Sequence, residues 1–142
     1  MPPRVVLDTN VIVAGLRSRL GASFQVLSLI GTGVFTHCLS VPLLFEYDEV
    51  LKRAGVVPVS RDGIEDILDG LCATAERRAL YFLWRPQLSD AADDLVLEIA
   101  VTGQCDTIIT FNLRHFVGSR QFGVVAQTPA DFLIALSTRG TI

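Results

Sequence analysis

The sequence predicts an α/β protein built on a parallel sheet covered by helices on both faces. Two features carry that expectation. Short segments of almost unbroken apolar residues alternate with amphipathic helical stretches along the whole chain. Those apolar segments lack the in–out alternation of a half-exposed strand, so they read as strands buried on both faces. The chain has 142 residues, 50% of them hydrophobic, the size of one ordinary domain with enough apolar content for a full core. One domain over residues 1–142 is therefore expected.

Residues 4–8, Arg-Val-Val-Leu-Asp, form the first predicted strand, closed by an acid. Thr9 and Asn10 lead into a helix over 11–16, and residues 17–21 read as a loop. Phe24, Leu27 and Ile30 recur at helical spacing over 22–30, and Gly31-Thr32-Gly33 stops that helix. A strand over 34–39 follows. Ser40 is suited to capping the next helix and Pro42 to its first turn. That helix carries Leu43, Leu44, Tyr47, Val50 and Leu51, and residues 55–58 break it. A helix over 60–76 has Ile64, Ile67, Leu68, Leu71 and Cys72 as its apolar stripe. Residues 78–84 are a strand candidate ending before Pro86. An acidic turn from Ser89 opens a helix over 93–102 that ends at Gly103. Residues 106–111 form a strand, Val124-Val125 a last short one, and residues 129–136 a closing helix with Thr128 as cap.

Charge and cysteine usage exclude several classes. The net charge is −3, so bulk electrostatics do not supply a grip on nucleic acid, although a bound metal ion can provide local positive charge. The arginines outnumber the lysines 11 to 1, which a GC-rich genome also explains. Cys38, Cys72 and Cys105 are odd in number and widely spaced, which fits small buried hydrophobes in a reducing cytoplasm rather than a disulfide framework or a zinc site. The longest stretch without charge, residues 20–45, is interrupted by glycines, His37 and Pro42, so no membrane span is expected. The apolar run near the N-terminus stops at Asp8, too early for a secretory signal.

In a parallel α/β sheet, ligands gather beyond the carboxyl ends of the strands. Asp8 and Asn112 each follow a predicted strand, Glu46 lies one turn into the helix after another, and Asp90, Asp93 and Asp94 open a further helix. Each has a structural alternative: Asp8 or Asp90 as a helix cap, Glu46 as a solvated helix residue, the aspartates as charges favourable at a helix start, and Asn112 as a turn residue. Together they place several acids on one edge, where mutual repulsion calls for a cation, and oxygen ligands call for Mg²⁺ or Mn²⁺. A metal so held beside a phosphodiester activates water and stabilises the leaving oxygen. Asp93 shares a helix face with Val96, Leu97 and Ala100 and is the inward acid; Asp94 comes close behind it, and Asp90 reads as a cap or an outer group.

At these residues the sequence resembles the PIN-domain ribonucleases. Residues 5–11, Val-Val-Leu-Asp-Thr-Asn-Val, resemble the opening motif of that family, and residues 40–46 followed by Val50-Leu51 its glutamate-bearing helix. Residues 90–94 with 97–100 and Gly103 resemble the third motif, residues 108–116 the fourth, and residues 128–133 the closing helix. The resemblance implies a three-layer α/β/α sandwich and Mg²⁺- or Mn²⁺-dependent cleavage of RNA. It also implies the toxin of a type II toxin–antitoxin module, commonly a homodimer whose site a small cognate antitoxin blocks. Carried over, Asp8, Glu46 and Asp93 are the catalytic, metal-binding acids, with Asp94 and Asn112 as further metal contacts. Thr9 or Thr110 orient the ligands. Asn112 stands where the family usually has Asp, which removes one charge and weakens a second metal site. Ala91 stands where a Pro is often found.

Other classes fit less well. A receiver domain requires a Lys at a late strand end, and Lys52 lies in a predicted helix. A haloacid-dehalogenase-type phosphatase requires a second Asp where Asn10 stands. The remaining alternative is a catalytically weak PIN-fold module that binds protein or RNA. His37 and His115 read as core or surface residues, and Tyr47, Tyr81 and Trp84 as packing groups rather than base-stacking ones.

Overall fold

The computed structural model describes residues 1–77 and 91–142. Five strands form one sheet: β1 (Arg4–Leu7), β2 (Thr36–Leu39), β3 (Glu76–Arg77), β4 (Thr107–Ile109) and β5 (Val125–Gln127). Their spatial order is β3-β2-β1-β4-β5 and every pairing is parallel. The expected three-layer α/β/α sandwich with a central parallel sheet is the fold observed. Consecutive residues of a strand point to opposite faces. Val5, Val6 and Leu7 in β1, and Ile108 and Ile109 in β4, are all buried, so both faces of the sheet are covered.

Six α-helices supply the cover among the described residues: α1 (Thr9–Arg17), α2 (Ala22–Ser28), α3 (Val41–Leu51), α4 (Arg61–Thr74), α5 (Ala91–Thr102) and α6 (Pro129–Thr138). Their apolar stripes end in the core through Val11 and Ile12, Leu43, Tyr47 and Leu51, Val96, Leu97 and Ile99, and Phe132 and Leu136. Phe35 meets Phe132 edge to face, with ring centroids 5.5 Å apart. The caps predicted at Ser40 and Thr128 are present, and Ser60 adds a third. Ser40 Oγ accepts from the Leu43 amide, Ser60 Oγ from Gly63 and Thr128 Oγ1 from Asp131. Gly103 closes α5 because nothing larger fits: a Cβ there would lie 2.9 Å from the Ile99 carbonyl and 3.2 Å from Cys38 Sγ.

Three local expectations change. The helix expected over 60–76 ends at Thr74, Ala75 turns to extended geometry, and Glu76 and Arg77 join the sheet edge against Cys38 and Leu39. The Arg4 guanidinium pairs with Glu76 there, a contact between residues 72 apart in the chain that no helical periodicity reveals. Residues 113–122, for which the sequence suggests no element, form a 3₁₀ segment (Leu113–Phe122) kinked at Phe116. The strands are also shorter than expected, with β4 covering Thr107–Ile109 only. The strand expected over 78–84, with Tyr81 and Trp84, and the turn containing Asp90 lie outside the described residues.

The order of strands fixes where a site can form. The chain moves outward from β1 to β2 and β3, then crosses to β4 and β5 on the other side of β1. The order therefore reverses between β1 and β4, and a crevice opens beyond their carboxyl ends. Asp8 follows β1 and Thr110 follows β4 at that point.

Candidate active site

Asp8 immediately precedes α1, at its N-cap position in extended geometry (φ −66°, ψ 147°), yet its side chain does not act as the cap. It turns across the switch point instead. The Asp8 amide donates to the Ile109 carbonyl at 2.9 Å, which extends the β1–β4 register, and Thr110 Oγ1 donates to Asp8 Oδ2 at 2.7 Å. The same hydroxyl oxygen accepts from the Asn112 amide at 2.9 Å. Thr110 is fully buried, so this small network is shielded from water.

Ser40 and Pro42 start α3, and the helix then sends Tyr47 into the core, where its hydroxyl donates to the Leu7 carbonyl. That bond ties α3 to the end of β1. One position earlier on α3, Glu46 lines the crevice, and Val50 lines it one turn further on. On α5, Asp93 is 6% exposed and lines the crevice, while Asp94 is half-buried and is not among the lining residues. Burial, with a contribution from Asp94, raises the pKa of Glu98 on the same helix.

The crevice has a volume of about 590 Å³ and an acidic floor. Asp8, Glu46, Asp93 and Asn112 line it together with Thr9, Asn10, Arg17 and His115, and Val13, Ala14, Val50 and Val56 form an apolar wall. Four of the five candidate metal contacts thus share one cavity, and Asp94 stands outside it. Burial is the largest influence on Asp8, followed by the opposing Thr110 hydrogen bond. The negative charges of Asp93 and, more weakly, Glu46 add to burial, and the carboxyl pKa is pushed up to about 6. Burial and the Asp8 charge likewise push the Tyr47 phenol well above its ordinary value.

His115, expected in the core or at the surface, is exposed and stands at the rim of the crevice. The 3₁₀ segment after Asn112 folds back, and His115 Nδ1 lies 2.8 Å from Asp93 Oδ2 at the crevice. Asn10 and Arg17 are further lining residues that the sequence reading passes over. Helical spacing offers a signal for both, since Asn10, Val13, Ala14 and Arg17 fall on one side of α1. No comparable signal exists for His115, because an irregular segment delivers it. His37 is buried, with Nε2 2.9 Å from Thr74 Oγ1, and burial lowers its pKa to about 4.

Among the described residues, no three His, Cys, Asp or Glu side chains close into a metal cage. The donor set is an open group of carboxylates. Mg²⁺ typically takes one or two protein carboxylates and completes its octahedron with water and substrate phosphate. Asp8 and Asp93, with Glu46 and Asn112 further round the crevice, fit that pattern.

Fold and crevice together define an α/β protein with buried carboxylates at its topological switch point. A family model of the PIN domain matches residues 4–114, and the chain belongs to the PIN domain family. Among solved structures, a chain in the crystal structure of VapBC2 from Rickettsia felis bound to a DNA fragment from its promoter superposes with a TM-score of 0.59 and 15% identity. The match covers 88% of this chain and 98% of that one, a likeness of fold. No curated protein sequence matches. Among the described residues, no helix is long and apolar enough to cross a membrane.

Proposed function

We propose that this PIN domain is a metal-dependent endoribonuclease that acts as the toxin of a toxin–antitoxin pair. The observation that carries the reading is geometric: three carboxylates from separate segments, Asp8, Glu46 and Asp93, line one crevice at the switch point of the sheet. Their mutual repulsion is relieved when the acids share a cation. Asp8 and Asp93 would hold Mg²⁺ or Mn²⁺, and Glu46 and Asn112 line the same crevice. A divalent ion there lowers the pKa of a bound water and offsets charge on a phosphoryl group.

The chain's own residues prepare and position the rest. Thr110 fixes one Asp8 oxygen by its hydroxyl bond, and the carboxyl lines the crevice. His115 constrains the Asp93 carboxylate from the open side. Glu46, on the wall of the crevice, would accept a proton from an attacking water. Asn112 adds a hydrogen-bonding amide without charge, so the site favours one ion over two.

The fold likeness to a chain of the VapBC2 complex supports a small antitoxin as partner. Exposed Val41, Phe45, Val117 and Ile134 offer apolar surface for the antitoxin or for a homodimer. A reducing cytoplasm suits the free thiols.

The test is cleavage of total RNA and of defined oligonucleotides with Mn²⁺, with EDTA, and with Asp8→Asn protein. Cleavage that requires Mn²⁺ and disappears in Asp8→Asn supports the reading. Cleavage that survives EDTA refutes the metal requirement. A correctly folded protein that binds RNA or an antitoxin without cutting in any condition would be an interaction module instead.

A further inference from the structure

Beside the acidic crevice lies a second depression of about 370 Å³, lined by Leu16, Arg17, Ser18, Arg19, Phe24 and Val59 among others. Arg17 lines both cavities, so the two share that side chain as a common wall. Its location at the last turn of α1 has an ordinary explanation, the favourable pairing of a cation with a helix C-terminus. The hydrogen bonding is different. Arg17 Nε donates 2.6 Å across to the Val56 carbonyl, in the loop between α3 and α4, and not to the end of its own helix. That bond holds the guanidinium plane at the junction of the two depressions. Arg17 and Arg19 are both exposed, and neither forms an ion pair with any described residue. Two exposed guanidinium groups, neither engaged by a carboxylate among the described residues, are free to meet an anionic ligand beside the crevice. Phe24 on α2 adds a half-buried ring to the same depression.

Building on the nuclease reading, we infer that these residues form a track for the single RNA strand as it leaves the acidic crevice. Arg17 binds a backbone phosphate next to the scissile linkage, Arg19 binds the following phosphate, and Phe24 offers its ring to a base. The chemistry is suited to a strand and not to a lone phosphate. Repeated anions with intervening π faces match guanidinium groups interleaved with an aromatic ring. The track is independent of base identity, because it is made of charge and stacking.

The salt dependence of binding tests this. The probe is a fluorescein-labelled single-stranded RNA of about 12 nucleotides, long enough to pass both depressions. It is titrated with Asp8→Asn protein by anisotropy at salt concentrations from about 50 to 200 mM. For single strands, log K falls against log salt with a slope of about 0.7 for each phosphate neutralised. Arg17→Gln and Arg19→Gln should each reduce the slope by about 0.7, and the double variant by about 1.4. Arg17→Lys should restore the slope, because it restores the charge, although a purely structural role at Val56 would not be rescued. In cleavage assays Arg17→Gln should raise KM more than it lowers kcat. Arg19 makes no hydrogen bond to a described residue, so Arg19→Gln reports on the track even if Arg17→Gln fails to fold. Unchanged slopes in folded variants of a protein that still cuts RNA overturn the track and leave the nuclease reading standing. Wild-type protein that neither cuts nor binds RNA overturns both.

Discussion

Asp8→Asn should stabilise the protein in the absence of metal, and the amount follows from the crevice. The wild-type carboxyl titrates at about 6 in the fold against 3.8 ordinarily, because burial and the charges of Asp93 and Glu46 outweigh the hydrogen bonds from Thr110 and Thr9. That shift corresponds to about 3 kcal/mol against the ionised native state. Between the two values the folded protein binds more protons than the unfolded chain. This contribution to stability is therefore complete below about 4, falls as pH rises to about 6, and is absent above it. Asparagine has no charge to desolvate at any pH. Its amide oxygen still accepts from the Thr110 hydroxyl, but its NH₂ cannot accept from the Thr9 amide, which costs about 1 kcal/mol. The net expectation is a gain of about 2 kcal/mol above neutral pH that vanishes or reverses near pH 4.

Urea unfolding in EDTA at both pH values measures this as a difference between variant and wild type. The comparison is necessary because His37 titrates in the same window with the opposite sign. Burial lowers its pKa from 6.5 to about 4, so its contribution is present above 6.5 and lost as pH falls towards 4. In wild type alone the two contributions oppose each other. Adding Mn²⁺ should reverse the order of the two proteins, since wild type then gains binding free energy that the variant lacks. A variant less stable than wild type at neutral pH in EDTA, or one that gains equally at both pH values, would refute the electrostatic account of Asp8.

Three further outcomes follow from other contacts. His37→Gln should remove the acid-side loss, leaving stability that falls as pH rises from about 4 to about 6 through Asp8, with Glu98 acting in the same direction; urea midpoints across that range check it. Asn112→Asp should strengthen Mn²⁺ binding by adding a carboxylate to the crevice, and calorimetric titration that shows equal or weaker binding counts against that placement. Gly103→Ala should cost about 1–3 kcal/mol, because the added methyl meets the Ile99 carbonyl and Cys38 Sγ at the end of α5, and thermal unfolding measures it.

The amino-acid sequence by itself determines the layered plan. Unbroken apolar runs such as Val5-Val6-Leu7, alternating with helical stretches, read as strands buried on both faces, and the capping side chains of Ser40 and Thr128 start their helices as read. It also determines which acids end up at the strand ends, because strand direction and the position of Asp8 or Asn112 in a segment are local properties. Choosing Asp93 over Asp94 needs only helical periodicity, and the structure buries the one on the apolar face. What only the tertiary structure decides depends on contacts between distant segments. Glu76 leaves its helix for the sheet edge because Arg4 waits there. His115 reaches Asp93 because a kinked 3₁₀ segment, with no periodic signature, turns it back towards α5. Arg17 becomes a shared wall between two depressions because the Val56 carbonyl, 39 residues away, accepts its hydrogen bond. The acidity of the crevice is of this kind too: Asp8 acquires its elevated pKa from burial and from two carboxylates on other helices, and desolvation and Coulomb repulsion exist only once the chain has closed around them.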